Sequence, residues 1–267
     1  MTLQESFVKQ GNFLFRYRSY LPLILVGVGM GVFVINSLYG KIPTDLQYFS
    51  LEVVSLIIAL MGLLIRVITV GHTPAGTSGR NTKEQIAGEV NTTGIYSMVR
   101  HPLYLGNFLM WAGAAILVAN IYFFIIFVLV YWIYYERIMC AEEQFLRNKF
   151  GKTYIDWAEQ TPAFIPSCRN KIKSVHPFNL KKVLIKEKNG LAAVFILLFV
   201  FHNIRYACVK GKIQIDNNWV LWCMLISVVL YVFLKLLKKY SSYLYSMKLP
   251  QKHTDNTDST DLHGQTL

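Results

Sequence analysis

Four long apolar blocks constrain this chain more than any other feature of it. They are Leu21 to Leu38, Phe49 to Val70, Leu103 to Tyr135, and Gly190 to Ile204 followed after a polar gap by Trp219 to Leu237. A helix of about 20 apolar residues rises roughly 30 Å, the thickness of a bilayer's hydrocarbon, where every backbone polar group must be satisfied internally. The first two blocks are therefore single spans. The third is long enough for a helical hairpin turning at Asn120, its arms 103–119 and 121–135 at or below the short limit for crossing. The expectation is an all-α polytopic membrane protein of about six transmembrane helices, with cytoplasmic amphipathic helices between them. Composition agrees, since 54% of the 267 residues are hydrophobic and only 16% charged, too apolar for a soluble domain.

The loops set the orientation. Lys9, Arg16 and Arg18 precede the first span, and segments 71–102 and 136–189 hold most of the remaining Lys and Arg, against Lys41, Arg205, Lys210 and Lys212 on the other side. The positive-inside rule then places both termini and both long polar segments in the cytoplasm. The net charge of +12 reflects this topology and attraction to anionic lipid rather than nucleic acid. No A-x-A-like cleavage site follows the first block, so that helix is expected to stay in the membrane. Cys140, Cys168, Cys208 and Cys223 form no C-x-x-C pair, and His72, His176, His202, His253 and His263 show no ligand spacing, which points to no metal. Gly27-Val28-Gly29-Met30-Gly31 imitates a nucleotide loop but lies inside an apolar span, where close helix packing is its use.

Between the second and third spans, 71–82 is too rich in Gly and Thr for a helix, and a short helix is predicted over 83–90, capped by Asn81 or Thr82. The run 91–106 then enters the third span, with Pro102 near its first turn. After the hairpin, Ile138, Met139, Phe145, Leu146 and Phe150 follow helical spacing up to a stop at Gly151. A second amphipathic piece begins at Lys152 and ends by Pro162, and its Tyr154 and Trp157 suit the headgroup layer. The stretch 251–267 is polar and aperiodic and reads as disordered.

Two blocks carry a resemblance. Arg100-His101-Pro102-Leu103-Tyr104-Leu105-Gly106 resembles the R-H-P-x-Y-x-G signature of membrane-embedded methyltransferases, the isoprenylcysteine carboxyl methyltransferase and phospholipid methyltransferase group. Arg137, Glu142-Glu143, Phe150-Gly151, Tyr154, Trp157, Pro162 and Phe164-Ile165-Pro166 look like that group's second block, with the hairpin between the two. The resemblance implies methyl transfer from S-adenosylmethionine, bound on the cytoplasmic side, to a membrane lipid or prenylated acceptor entering from the bilayer.

Such a cofactor carries a carboxylate, an ammonium, a sulfonium and an adenine, so its site needs a cation, an anion and flat rings. Arg100 and Arg137 are the candidate cations, Glu142 and Glu143 the anions, and Tyr96, His101 and Tyr104 the rings, with Pro102 fixing the motif between them. Glu142, His101 and Arg137 are the candidates for catalysis, Glu142 or His101 being the proton acceptor if the methyl acceptor is an amine or hydroxyl. Each residue has a plainer use. Arg100 and His101 are otherwise interfacial anchors, Arg137 a positive-inside charge, and Glu143 the partner of Arg147 one turn on. Glu142 differs, because Ile138, Met139, Phe145 and Leu146 surround it on the helix and leave it no local partner.

The organisation expected is an N-terminal segment and first span (1–48), a methyltransferase core (49–170), a basic linker with an accessory transmembrane hairpin (171–249), and a tail (250–267). A bacterial inner membrane is favoured over the endoplasmic reticulum. The rival readings are a membrane reductase of sterol-reductase type using NADPH, which the carboxylate pair disfavours, and a membrane protein without enzymatic activity.

Overall fold

The computed structural model describes residues 2–41, 43–74, 85, 87–211 and 218–240, and within them the chain is helical with no strand. α1 (Leu3–Tyr17) opens on a capping box in which Thr2 accepts from the Glu5 amide and Glu5 answers the Thr2 amide. α2 (Tyr20–Leu38) and α3 (Asp45–Gly71) follow, α3 opening on a second box between Thr44 and Gln47. A 3₁₀ turn (Gly94–Ser97) precedes α4 (Pro102–Ile116), whose first position is filled by Pro102, in the first turn where a missing N–H breaks no intrahelical bond. α5 (Ile121–Phe150) and α6 (Lys152–Gln160) meet at Gly151, and α7 (Leu180–Lys210) ends at Gly211. Both glycines have positive φ, 54° and 67°, a backbone region open to glycine at no steric cost. α8 (Trp219–Tyr240) closes the described part.

Five of these helices, α2, α3, α5, α7 and α8, are long and apolar enough to cross a membrane. The sixth predicted span is α4, which at 15 residues rises only about 22 Å and so forms the short arm of the hairpin. The hairpin turns where the sequence placed it, with Asn120 accepting from the Phe123 amide at 2.9 Å. The second arm of the hairpin and the helical spacing predicted after it form one element, because α5 continues through 136–150 as a 30-residue helix of about 45 Å and carries its polar half beyond the apolar zone. α7 likewise starts at Leu180 instead of Gly190. α1 was not foreseen as a helix. The predicted helix over 83–90 lies mostly outside the described residues, and its described part, Gln85 and 87–90, is not helical. Residues 75–82 and the tail also lie outside them.

α3 and α4 cross at glycine. A Cβ on Gly62 would lie 2.5 Å from the Gly106 carbonyl oxygen, and one on Gly113 would lie 2.7 Å from that of Ser55. Small residues let transmembrane backbones approach this closely, which bilayer packing uses in place of a hydrophobic drive. In the Gly27–Gly31 run only Gly29 serves packing, against Phe123 and Val118, while Gly27 and Gly31 meet nothing within 4 Å. α1 lies along the polar half of α5, with Gly11 against the Arg137 backbone and the Tyr134 hydroxyl donating to the Leu14 carbonyl at 3.0 Å.

Three polar ties join α7 to α3 at different depths, the outermost between Arg205 and Asp45 at 2.5 Å. Arg66 on α3 makes a two-pronged pair with Glu187 (2.7 and 2.8 Å) and reaches Asn107 on α4 at 2.5 Å. Deeper along both helices, His202 Nδ1 meets Glu52 at 2.6 Å and its Nε2 meets Asn218 at 3.0 Å. Charges inside spans are costly unless paired in this way.

Candidate active site

The end of α3, the start of α4, the polar half of α5 and the start of α7 converge at one end of the bundle. The entry to α4 is held there by an irregular strap that follows α6. The Arg100 amide donates to the Pro162 carbonyl (2.9 Å) and the His101 amide to that of Ala163 (3.2 Å). The Ser167 amide donates to Met98 (2.9 Å), and the Ile172 amide to the Ser97 hydroxyl (2.9 Å). Arg100 and His101 are thus fixed by backbone bonds before their side chains do anything.

Those side chains meet the acidic pair of α5. Tyr104 donates to Glu142 Oε1 at 2.7 Å, and His101 Nδ1 lies 3.7 Å from Glu142 Oε2. His101 Nε2 lies 2.9 Å from Glu143 Oε1, and Arg100 Nε 3.0 Å from the same oxygen. His101 therefore stands between two carboxylates, with its ring stacked at 26° on Tyr104. Tyr104 is fixed in turn by Tyr131, whose hydroxyl donates to its carbonyl at 2.9 Å, and by the ring of Tyr135. The carboxylate side chains keep 26% and 22% of their exposure, so both remain reachable by a ligand.

Tyr96 lies within the electrostatic reach of Glu142. Burial, and after it that negative charge, push its phenol above the ordinary range. The Trp157 indole donates to the Tyr96 carbonyl at 3.1 Å, so α6 supports the turn from beneath. Pro102 is buried and acts through the backbone.

Arg137 is not brought to the site. Its guanidinium bonds Gln10 (2.8 Å) and the Ile133 carbonyl (2.6 Å) and lies over the Phe7 ring, fastening α1 to α5. Glu143 takes Arg100 and His101 as partners instead of Arg147, because α5 turns this face toward the α4 entry. Glu142, with apolar neighbours along α5, takes Tyr104 and His101 of the α4 entry as its partners.

Two residues near the cluster were missed. Arg18, at the end of α1, lies close enough to Glu142 and Tyr104 to act on both electrostatically. Tyr154 on α6 is 1% exposed, and its hydroxyl has no hydrogen-bond partner among the described residues. Burial, and then Glu143, raise that phenol above its ordinary range. Arg18 gave no signal because nothing in the sequence folds α1 back on α5; Tyr154 was read as an interfacial residue.

Residues 51–153 match the phospholipid methyltransferase family, which covers both motif blocks and the hairpin between them. The match is confined to this central segment of the chain. Probable protein-S-isoprenylcysteine O-methyltransferase of Oryza sativa subsp. japonica is 31% identical over 128 residues, 46% of this chain and 65% of the relative. Protein-S-isoprenylcysteine O-methyltransferase of Saccharomyces cerevisiae is 30% identical over 130 residues, 46% of this chain and 54% of the relative. The nickel-cobalt-cadmium resistance protein NccN of Alcaligenes xylosoxydans xylosoxydans is 36% identical over 89 residues, 33% of this chain and 39% of the relative. The chain thus spans less than two thirds of the length of these relatives. No solved structure matches it. α1, α2, α7 and α8 lie outside the matched segment, yet Arg18 and Glu187 reach into it from them.

Proposed function

We propose that this protein transfers a methyl group from S-adenosylmethionine to a lipophilic acceptor at the cytoplasmic face of its membrane. The observation that carries the reading is the joining of the two motif blocks through the Tyr104–Glu142 bond and the His101–Glu143 contact, across 38 and 42 residues of chain. The donor set fits the cofactor: two partly exposed carboxylates for an ammonium, the Arg100 guanidinium for a carboxylate, and the stacked rings of His101 and Tyr104 for a sulfonium. When bound, the sulfonium supplies an electrophilic methyl and a thioether leaving group, so the protein's task is positioning and exclusion of water.

In this reading Tyr104 orients Glu142, and Arg100 with His101 orients Glu143. Pro102 and the strap hold the α4 entry rigid. Where the acceptor is an amine or hydroxyl, His101 or Glu142 takes its proton; a carboxylate or thiolate acceptor needs neither. Arg137 has no part in the chemistry. A crevice between α3, α4 and α7, lined by Ser55, Ala59, Met110, Trp111, Ala193 and Leu197, is almost wholly apolar and suits the acceptor's tail, with its head at the carboxylates. The Lys and Arg asymmetry supports cytoplasmic termini and a cytoplasmic site.

The test is calorimetric titration of the purified protein with S-adenosylhomocysteine and with NADPH, then incubation with labelled S-adenosylmethionine and total lipid extract. Label in the organic phase, lost in Glu142→Ala, is the expected result. Binding of NADPH alone, or label only in water-soluble product, would overturn the proposal.

A further inference from the structure

The strap that holds the α4 entry carries a second feature that methyl transfer does not use. Between Thr161 and Lys186 the sequence contains Arg169, Lys171, Lys173, Lys181, Lys182 and Lys186 and no acidic residue. Lys182 is consumed internally, its ammonium buried on the Thr73 and Pro74 carbonyls and the Thr73 hydroxyl at 2.7–3.0 Å. Arg169, Lys171 and Lys173 are exposed, and none of them makes an ion pair among the described residues. Interleaved with them are Ile165, Ile172 and Val175, which expose 78%, 52% and 75% of their surface.

The fold holds this segment level with the ends of the spans. The Asn179 amide donates to the Gly71 carbonyl at the end of α3 (2.9 Å), His72 contacts the His176 carbonyl (2.9 Å), and Phe178 packs against Gly71. Apolar side chains exposed at that depth meet lipid instead of water, and unpaired cations beside them meet headgroups. Charges present only to set topology would need no such interleaving.

We propose that residues 165–175 form a docking surface for anionic phospholipid, with Arg169, Lys171 and Lys173 on headgroup phosphates and Ile165, Ile172 and Val175 inserted at the acyl boundary. The surface is a site for the leaflet itself, separate from the carboxylate cluster, and it stands whether or not the protein transfers methyl groups. Its mechanical link to that cluster is the backbone ladder already described, extended by Gly94 donating to Ile172 (3.0 Å) and Val175 to the Thr93 hydroxyl (3.4 Å). Lipid that steadies the strap therefore steadies the turn before α4.

Hydrogen exchange of the full chain in nanodiscs of phosphatidylcholine, with and without phosphatidylglycerol, tests this. Each basic residue near an anionic surface is worth roughly a fivefold change in binding, so exchange at 167–176 should slow by at least about fivefold when phosphatidylglycerol is present. The slowing should vanish at high salt and in the triple variant Arg169→Gln, Lys171→Gln, Lys173→Gln, while α3 and α5 exchange as before. Equal exchange in the two lipid compositions would overturn the proposal. So would unchanged slowing in the triple variant, or slowing by soluble heparin without phosphatidylglycerol, which would mark a site for an acidic soluble partner.

Discussion

Replacing Gly62 by alanine tests whether the α3–α4 crossing sets the geometry of the carboxylate cluster. The added methyl would lie 2.5 Å from the Gly106 carbonyl oxygen, 2.7 Å from the Met110 nitrogen and 2.9 Å from Leu109 Cβ. The first two are backbone atoms of α4, so no rotamer change relieves the clash. Restoring ordinary contact requires the helices to separate by roughly 1 Å, and overpacking of this kind costs about 1–3 kcal/mol. α4 carries His101 and Tyr104, and a shift of that size exceeds what contacts of 2.9 and 2.7 Å tolerate. The expected result is a thermal midpoint in detergent lowered by roughly 2–12 °C, together with weaker S-adenosylhomocysteine binding. Gly31→Ala is the control, since its methyl meets nothing within 4 Å. There alanine should gain a little, by up to about 1 kcal/mol of helix propensity. A Gly62→Ala protein as stable and as well bound as Gly31→Ala would refute the reasoning.

Glu142→Ala and Glu143→Ala should weaken S-adenosylhomocysteine binding alike, each by roughly tenfold or more by calorimetry, because each removes an acceptor from charged or hydrogen-bonded partners. Arg137→Ala should leave that affinity unchanged while increasing proteolysis of α1, whose tie to α5 it cuts. Glu187→Ala strands the Arg66 guanidinium without a counter-ion and should destabilise by roughly 3 kcal/mol in chemical unfolding, with Glu187→Gln milder. Truncation after Lys188 should likewise destabilise, since it removes His202 from Glu52.

Much of this architecture was legible because bilayer physics leaves few options. Apolar blocks of the right length and one Asn-headed turn sufficed for the spans and the hairpin. The α4 entry was legible for a different reason, a dense motif at a membrane boundary. Helical spacing also isolated Glu142, since a carboxylate among Ile138, Met139, Phe145 and Leu146 had to find its partner elsewhere. What failed were long-range choices between equivalent partners. Glu143 had Arg147 one turn away and Arg100 across the bundle, and only the rotation of α5 against α4 decides between them. Arg137 and Arg18 look alike as juxtamembrane cations, yet one anchors α1 and the other faces the site. Glu187 was passed over because α7 was expected to begin at Gly190, beyond it.

The Arg66–Glu187 and Glu52–His202 ties between α3 and α7 bear on how the chain is made. Arg66 and Glu187 are 121 residues apart and Glu52 and His202 are 150 apart, so α3 is synthesised well before either partner exists. At typical translation rates the delay is on the order of ten seconds. During it, an arginine and a glutamate on one span have no counter-charge from α7. Full seating of Arg66 and Glu52 at their final depth is then favoured only once α7 supplies their partners. Ribosomes stalled before α7 is made and after it has cleared the exit tunnel should therefore yield α3 at different depths, the deeper one only in the second case.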